Sequence, residues 1–208
     1  MKLSRFILLI AVVIFASCNN AQEASHEGQH TSTPNSDSVK HASTDQTTEI
    51  KSINVVFKNV DAKAAETIKQ MVDNYLQMKD ALAADKATDA ATAAKKLASS
   101  VASLDQSLLT AEQKKVFDQY EADLNEHAEH IGKNGDNIEH QRSHFIQLSE
   151  VMYDLVKNFG AGRPLYHDHC PMARDNQGAM WLSEVKEIKN PYFGAAMFTC
   201  GQVQEVIQ

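Results

Sequence analysis

Between Asp61 and Phe159 apolar residues recur every three to four positions in four successive stretches, a period that fits helices and not strands. Ile68, Met71, Val72, Tyr75, Leu76 and Leu82 form the first stripe, opened by Asp61 as a cap and broken between Asp85 and Thr88. Leu97, Val101, Leu104 and Leu108 form the second, in an alanine-rich stretch that favours close helix packing. Thr110 and Gln113 have the spacing of a capping box for a third helix, with Phe117, Tyr120, Leu124 and Ile131 as its stripe. Gly132 to Gly135 reads as a turn. Asp136 with Glu139 repeats the capping pattern before Ile138, Phe145, Leu148, Met152, Leu155 and Phe159, and Gly160 ends the run. Four helices with short connections predict an all-α fold, an antiparallel up-down four-helix bundle over residues 53–160. Asn54 to Phe57 reads as a short strand or an extended lead-in.

Past Gly160 the pattern changes. Residues 161–208 carry Pro, Gly or Asn every few positions, which predicts an irregular, short-stranded C-terminal cap packed on the bundle. Asn176 to Gly178 reads as a turn between short strands, and Asn190–Pro191 as a rigid turn. Arg142 is expected to pair with a carboxylate or a tail carbonyl and so dock the cap.

The N-terminus carries a different message. Lys2 and Arg5 precede an apolar run from Phe6 to Phe15, too short to span a bilayer and suited to a signal peptide. Ala16 and Ser17 then lead into Cys18, as in a bacterial lipobox, with Phe15 where leucine is usual. Residues 1–17 are expected to be removed and Cys18 acylated, which anchors the protein to a lipid membrane facing the periplasm. Asn19, in place of the aspartate that retains lipoproteins at the inner membrane, favours the outer membrane. Residues 18–52 are polar, with little to bury, and should form a disordered tether reaching about 30 Å. Its His26, His30 and His41 read as linker residues that bind metal loosely at most.

Charge and motif content exclude several functions. With 27 acidic and 20 basic residues the net charge is −7, so there is no cationic face for nucleic acid. No Gly-rich phosphate loop, Gly-x-Ser-x-Gly or CxxC occurs, and Ser183 lacks a catalytic context, so the chain does not read as an enzyme. What remains is a soft-ligand set. His167, His169, Cys170 and Met172 lie together, and Met197 and Cys200 return near the end. Thiolate, thioether and imidazole together suit Cu(I) better than Zn, and exclude Ca²⁺ or Mg²⁺. A second set flanks the turn at Gly132: His127 and His130 before it, His140 and His144 after it. In an antiparallel hairpin His127 comes level with His140, and His140 and His144 are one helical turn apart, within reach of one metal. A hydrogen-bonded core histidine is the ordinary alternative for His127.

The segments YHDHCPMA (Tyr166–Ala173), WLS (Trp181–Ser183), NPYFG (Asn190–Gly194) and M-x-x-CG (Met197–Gly201) resemble an uncharacterised family of bacterial envelope proteins. Its members occur as lipoproteins and as a C-terminal extension of periplasmic adaptor subunits of copper/silver efflux pumps. The resemblance extends through Gln141–Val156 and more loosely over the helices. It places Cys170, Met172, Met197 and Cys200 on the family's signature positions, and implies copper and an efflux adaptor or metal-transfer partner. With Cys18 acylated, Cys170 and Cys200 are left as an even pair in an oxidising compartment, so a structural disulfide competes with metal ligation. Two functions therefore stand open: soft-metal binding, or a disulfide-stapled module that docks on an envelope partner.

Overall fold

The computed structural model describes residues 50–208; Cys18, the signal segment and His26, His30 and His41 lie outside the described residues. The described chain is mostly helical, with five α-helices and a small mixed sheet of four strands, so the expected all-α class gives way to helices plus a sheet. In chain order these are β1 (Lys51–Ile53), α1 (Ala62–Ala83), α2 (Ala87–Ala102), α3 (Ala111–Phe117), α4 (Glu121–Lys133), α5 (Ile138–Phe159), β2 (Leu165–Cys170), β3 (Ala179–Ser183) and β4 (Gln202–Ile207). Among the described residues, no helix is long and apolar enough to cross a membrane.

Asp61 caps α1 as expected, accepting from the backbone N–H groups of Lys63 and Ala64. The second stripe outlasts its helix. Here α2 stops at Ala102, because Asp105 binds the backbone N–H and hydroxyl of Ser107 and holds a single tight turn instead. Leu104 and Leu109 are buried from that loop. Thr110 and Gln113 form the capping box in both directions. The third stretch is two helices, not one. At Asp118–Tyr120 the N–H groups of Gln119 and Tyr120 bond back three residues, to Val116 and Phe117. That turn seats Phe117 edge-on against Phe159 and leaves the Tyr120 hydroxyl to accept from Asn158. For α5 the cap is Asn137, not Asp136.

α1 packs on α2, α2 on α4, α4 on α5, and α5 returns to α1. Ala90, Ala93 and Ala94 are buried, which allows α2 to approach closely. Tyr75 stacks on Phe145 at 5.1 Å in the centre of the core.

The strand order is β1-β4-β2-β3: β1 runs parallel to β4, and the other pairings are antiparallel. The lead-in after β1 is useful to the helices as well. Val56 and Phe57 donate to the carbonyls of Lys157 and Asn158, which α5 cannot satisfy at its own C-terminus. β3 is an edge strand, and side chains of α1 and of the loop after β3 cover it. Leu182 N–H donates to the Tyr75 hydroxyl at 3.1 Å, Tyr75 and Ser149 share a hydrogen bond at 2.8 Å, and the Tyr192 hydroxyl donates to the Met180 carbonyl. Tyr75→Phe removes the acceptor for a buried N–H and should cost about 1–3 kcal/mol. Urea unfolding checks this; an unchanged midpoint would mean that the Tyr75 hydroxyl does not hold the strand edge.

Candidate functional site

β2 delivers three of the sulfur-and-imidazole residues, His167, His169 and Cys170, and its pleat divides them. Asp168 and Cys170 are fully buried, whereas His167 and His169 are half-buried on the alternate positions. Met172 follows in a turn in which Arg174, Asp175 and Asn176 all take the left-handed conformation, with φ of 54°, 54° and 65°. Gly178 closes that turn at φ 85°; a Cβ there would lie 2.5 Å from His169 Nε2. The loop before β4 is organised by buried Asn190. Its Oδ1 accepts from the N–H groups of Tyr192 and Phe193, and its Nδ2 donates to the Cys200 carbonyl at 2.7 Å. Asn190–Pro191 is thus the rigid turn expected of it.

Cys170 and Cys200 meet as free thiols with their Sγ atoms 2.8 Å apart. A disulfide would need about 2.05 Å. Two thiolates about 2.3 Å from one ion in tetrahedral geometry stand about 3.7 Å apart. The pair therefore lies nearer to a disulfide than to a shared metal. The hydrogen bond with Cys170, and then burial, push the Cys200 thiol up to about 11, so this sulfur stays protonated at neutral pH.

The two methionines share a separate groove. Met172, 47% exposed, and Met197 line one groove of about 500 Å³ with Arg142 and Ile146 of α5, Tyr192 and Phe193. Cys170 and Cys200 do not line it. His167 is elsewhere again, with Nδ1 3.2 Å from Glu205 Oε1 and its ring against Tyr153. Burial lowers the His167 pKa even though Glu205 pulls it the other way. Sequence reading missed Glu205, which is buried and also accepts from the Tyr153 hydroxyl; its one signal was an acid in the otherwise alternating strand Gln202–Ile207. The six residues of the primary set thus form a thiol pair, a thioether groove and two separate histidines, not one coordination sphere.

The secondary set does converge. His130, His140 and His144 each place a ring nitrogen within 4.8 Å of the others; among the described residues, they are the only cluster of three or more His, Cys, Asp or Glu so arranged. His127 joins through Nδ1, which lies 3.2 Å from His144 Nδ1. It therefore sits against His144 and not, as expected, level with His140. His130 and His144 stack at 4.3 Å between centroids, and His140 meets His144 edge-on at 4.6 Å. Local structure holds the helix ends in place. Asn137 caps α5 on His140 N–H, and buried Gln141 donates to the carbonyls of Ala87 and Ile131, tying α5 to α4 and the start of α2. Burial first, then the positive charge of His130, His140 and His127, lowers the His144 pKa; Glu126 opposes this weakly.

Arg142 does what the sequence suggested, docking the cap through both a carboxylate and a carbonyl. It donates to Asp85 Oδ1 at 2.5 Å and to the Pro191 carbonyl at 2.9 Å, with the Leu82 carbonyl as a third acceptor.

Residues 71–163 match the model of a family described as a protein of unknown function (DUF3347). The match covers most of the helical region and ends at the start of the cap. No curated protein and no solved structure matches the chain.

Proposed function

We propose that this protein binds a soft metal ion, Cu(I), at the bacterial envelope, in copper handling or delivery to an efflux system. In this reading acylated Cys18 anchors the chain to the outer membrane, facing the periplasm. The helices serve as an up-down four-helix scaffold, and the cap carries the ligands. The protein is a binder and not an enzyme, and its partner is an efflux adaptor or a metal-transfer protein. The observation that carries the reading is that two distant segments bring their sulfur residues together: Cys170 Sγ lies against Cys200 Sγ, and Met172 and Met197 line one groove. Thioethers in an accessible groove suit Cu(I) and do not compete for Zn. For the thiols to join them, the sulfurs would have to separate by about 1 Å, to the spacing of two ligands on one ion.

Anaerobic Cu(I) titration of the detergent-solubilised full chain tests this. Met172→Leu, Met197→Leu and Cys170→Ser should each weaken binding at least tenfold. Equal affinity in all four proteins would refute the reading.

A specific distance favours a second reading, a non-metal interaction module docking on an envelope partner. At 2.8 Å the two thiols need only a small approach to form a structural disulfide. Closing that loop would stabilise the cap by about 3–4 kcal/mol in the chain-entropy model. Mass spectrometry without reduction of protein taken from cells discriminates: a quantitative Cys170–Cys200 bridge supports the module.

A further inference from the structure

The imidazole cluster between α4 and α5 is independent of the sulfurs of the cap. From it we propose a second metal site: His130, His140 and His144, with His127 as fourth ligand, bind a borderline divalent ion, Cu²⁺ or Zn²⁺.

Three observations argue against a merely structural cluster. A histidine packed for stability ordinarily gives its ring nitrogens to carboxylates or carbonyls. Here the hydrogen bond found among the four rings is one between His127 and His144, and no carboxylate lies within salt-bridge distance of any of them among the described residues. Four imidazoles also repel one another once protonated, so the arrangement is electrostatically favourable only when they are neutral or share a cation. The cluster, moreover, stands on rigid helix, held by the Asn137 cap and the buried Gln141 bridge, and not on a loop.

Geometry and chemistry agree on the ion. Ligand nitrogens about 2.0–2.1 Å from a tetrahedral ion stand about 3.4 Å apart. The His127–His144 separation of 3.2 Å already matches, and the nitrogens of His130, His140 and His144, within 4.8 Å, can close by rotating side chains that are exposed or half-buried. An all-imidazole set without thiolate prefers Cu²⁺, Zn²⁺ or Ni²⁺ to Cu(I), with Cu²⁺ highest in the affinity order.

The test uses the full chain in detergent, carrying His26→Ala, His30→Ala and His41→Ala so that the tether cannot contribute. Cu²⁺ affinity is measured by competition with a chelator of known strength, together with the electron paramagnetic resonance spectrum of the bound ion. The expected result is one equivalent of Cu²⁺ with nitrogen hyperfine structure from several imidazoles. His140→Ala and His144→Ala should each weaken binding at least tenfold, with unchanged far-UV ellipticity. Cys170→Ser with Met172→Leu should leave Cu²⁺ affinity unchanged, which separates this site from the sulfur site. Wild-type affinity in the His140→Ala/His144→Ala double variant would overturn the proposal, as would Cu²⁺ binding lost only in the sulfur variants.

Discussion

Arg142→Leu should lower the unfolding free energy by about 3–5 kcal/mol, the range for breaking a buried charge network. The guanidinium side chain is 9% exposed and gathers three parts of the molecule: Nε donates to the Pro191 carbonyl of the cap loop, while Nη2 donates to the Leu82 carbonyl at the end of α1 and to Asp85 in the turn after it. Asp85 Oδ2 in turn accepts from Ala195 N–H, so the cap loop is held at two points. Leucine leaves two carbonyls without their donor, and it unbalances Asp85, whose pKa the Ala195 N–H, and then Arg142, hold below the usual carboxylate range. Asp85 is 43% exposed and can be rescued by water, so the loss falls at the lower end of the range. Arg142→Lys should recover less than half of it, because an ammonium cannot reach the acceptors in the fork geometry. Urea unfolding followed by tryptophan emission and by far-UV ellipticity checks the prediction. The emission reports the cap, since the chain's single tryptophan is Trp181 in β3. Wild-type midpoints in Arg142→Leu would show that the cap is held by apolar packing alone.

How much of this could be read from residues alone follows from the range of the interactions. The four apolar stripes, the Asp61 cap and the Thr110–Gln113 box are local, and local rules found them. Arg142 was legible because a cation on the apolar side of a stripe requires an acceptor. The break at Asp118–Tyr120 was not, since the stripe runs through Phe117, Tyr120 and Leu124 without losing phase. The sheet was hidden for a different reason. β1 is three residues long and pairs with β4 from the far end of the described chain, so neither strand carries its partner's signature. The candidate sites divide in the same way. His140 and His144 lie one turn apart on one helix, and the hairpin brings His127 and His130 to them, so helical periodicity alone assembled that cluster. The cap residues depend on pleat and loop path, which separated His167 and His169 from Cys170 and put the thiols and thioethers in different places.

Trp181→Ala should cost about 3–5 kcal/mol and loosen the segment that carries Met197 and Cys200. Trp181 is fully buried, packs edge-on against Tyr192 at 5.9 Å and is opposed by Gly201, where a Cβ would lie only 2.8 Å from the far edge of the indole, Trp181 Cη2. Gly201 takes φ +143° and passes within 3.1 Å of the His169 carbonyl by the same measure, so this position tolerates a side chain neither in space nor in backbone conformation. The indole and the missing Cβ are therefore two halves of one packing solution. Trp181→Phe should cost less than Trp181→Ala, because a ring remains against Tyr192. It should also relieve the contact of Gly201→Ala with the indole, leaving the backbone strain and the close approach to the His169 carbonyl. The Trp181→Phe/Gly201→Ala double variant should then be more stable than the sum of the two single losses predicts, by about 0.5–3 kcal/mol, the range for residues in contact. Urea unfolding by far-UV ellipticity of the four proteins closes the cycle. Strict additivity would show that Gly201 is required for its backbone conformation and its approach to the His169 carbonyl and not for the indole, and that Trp181 does not position the start of β4 beside Cys200.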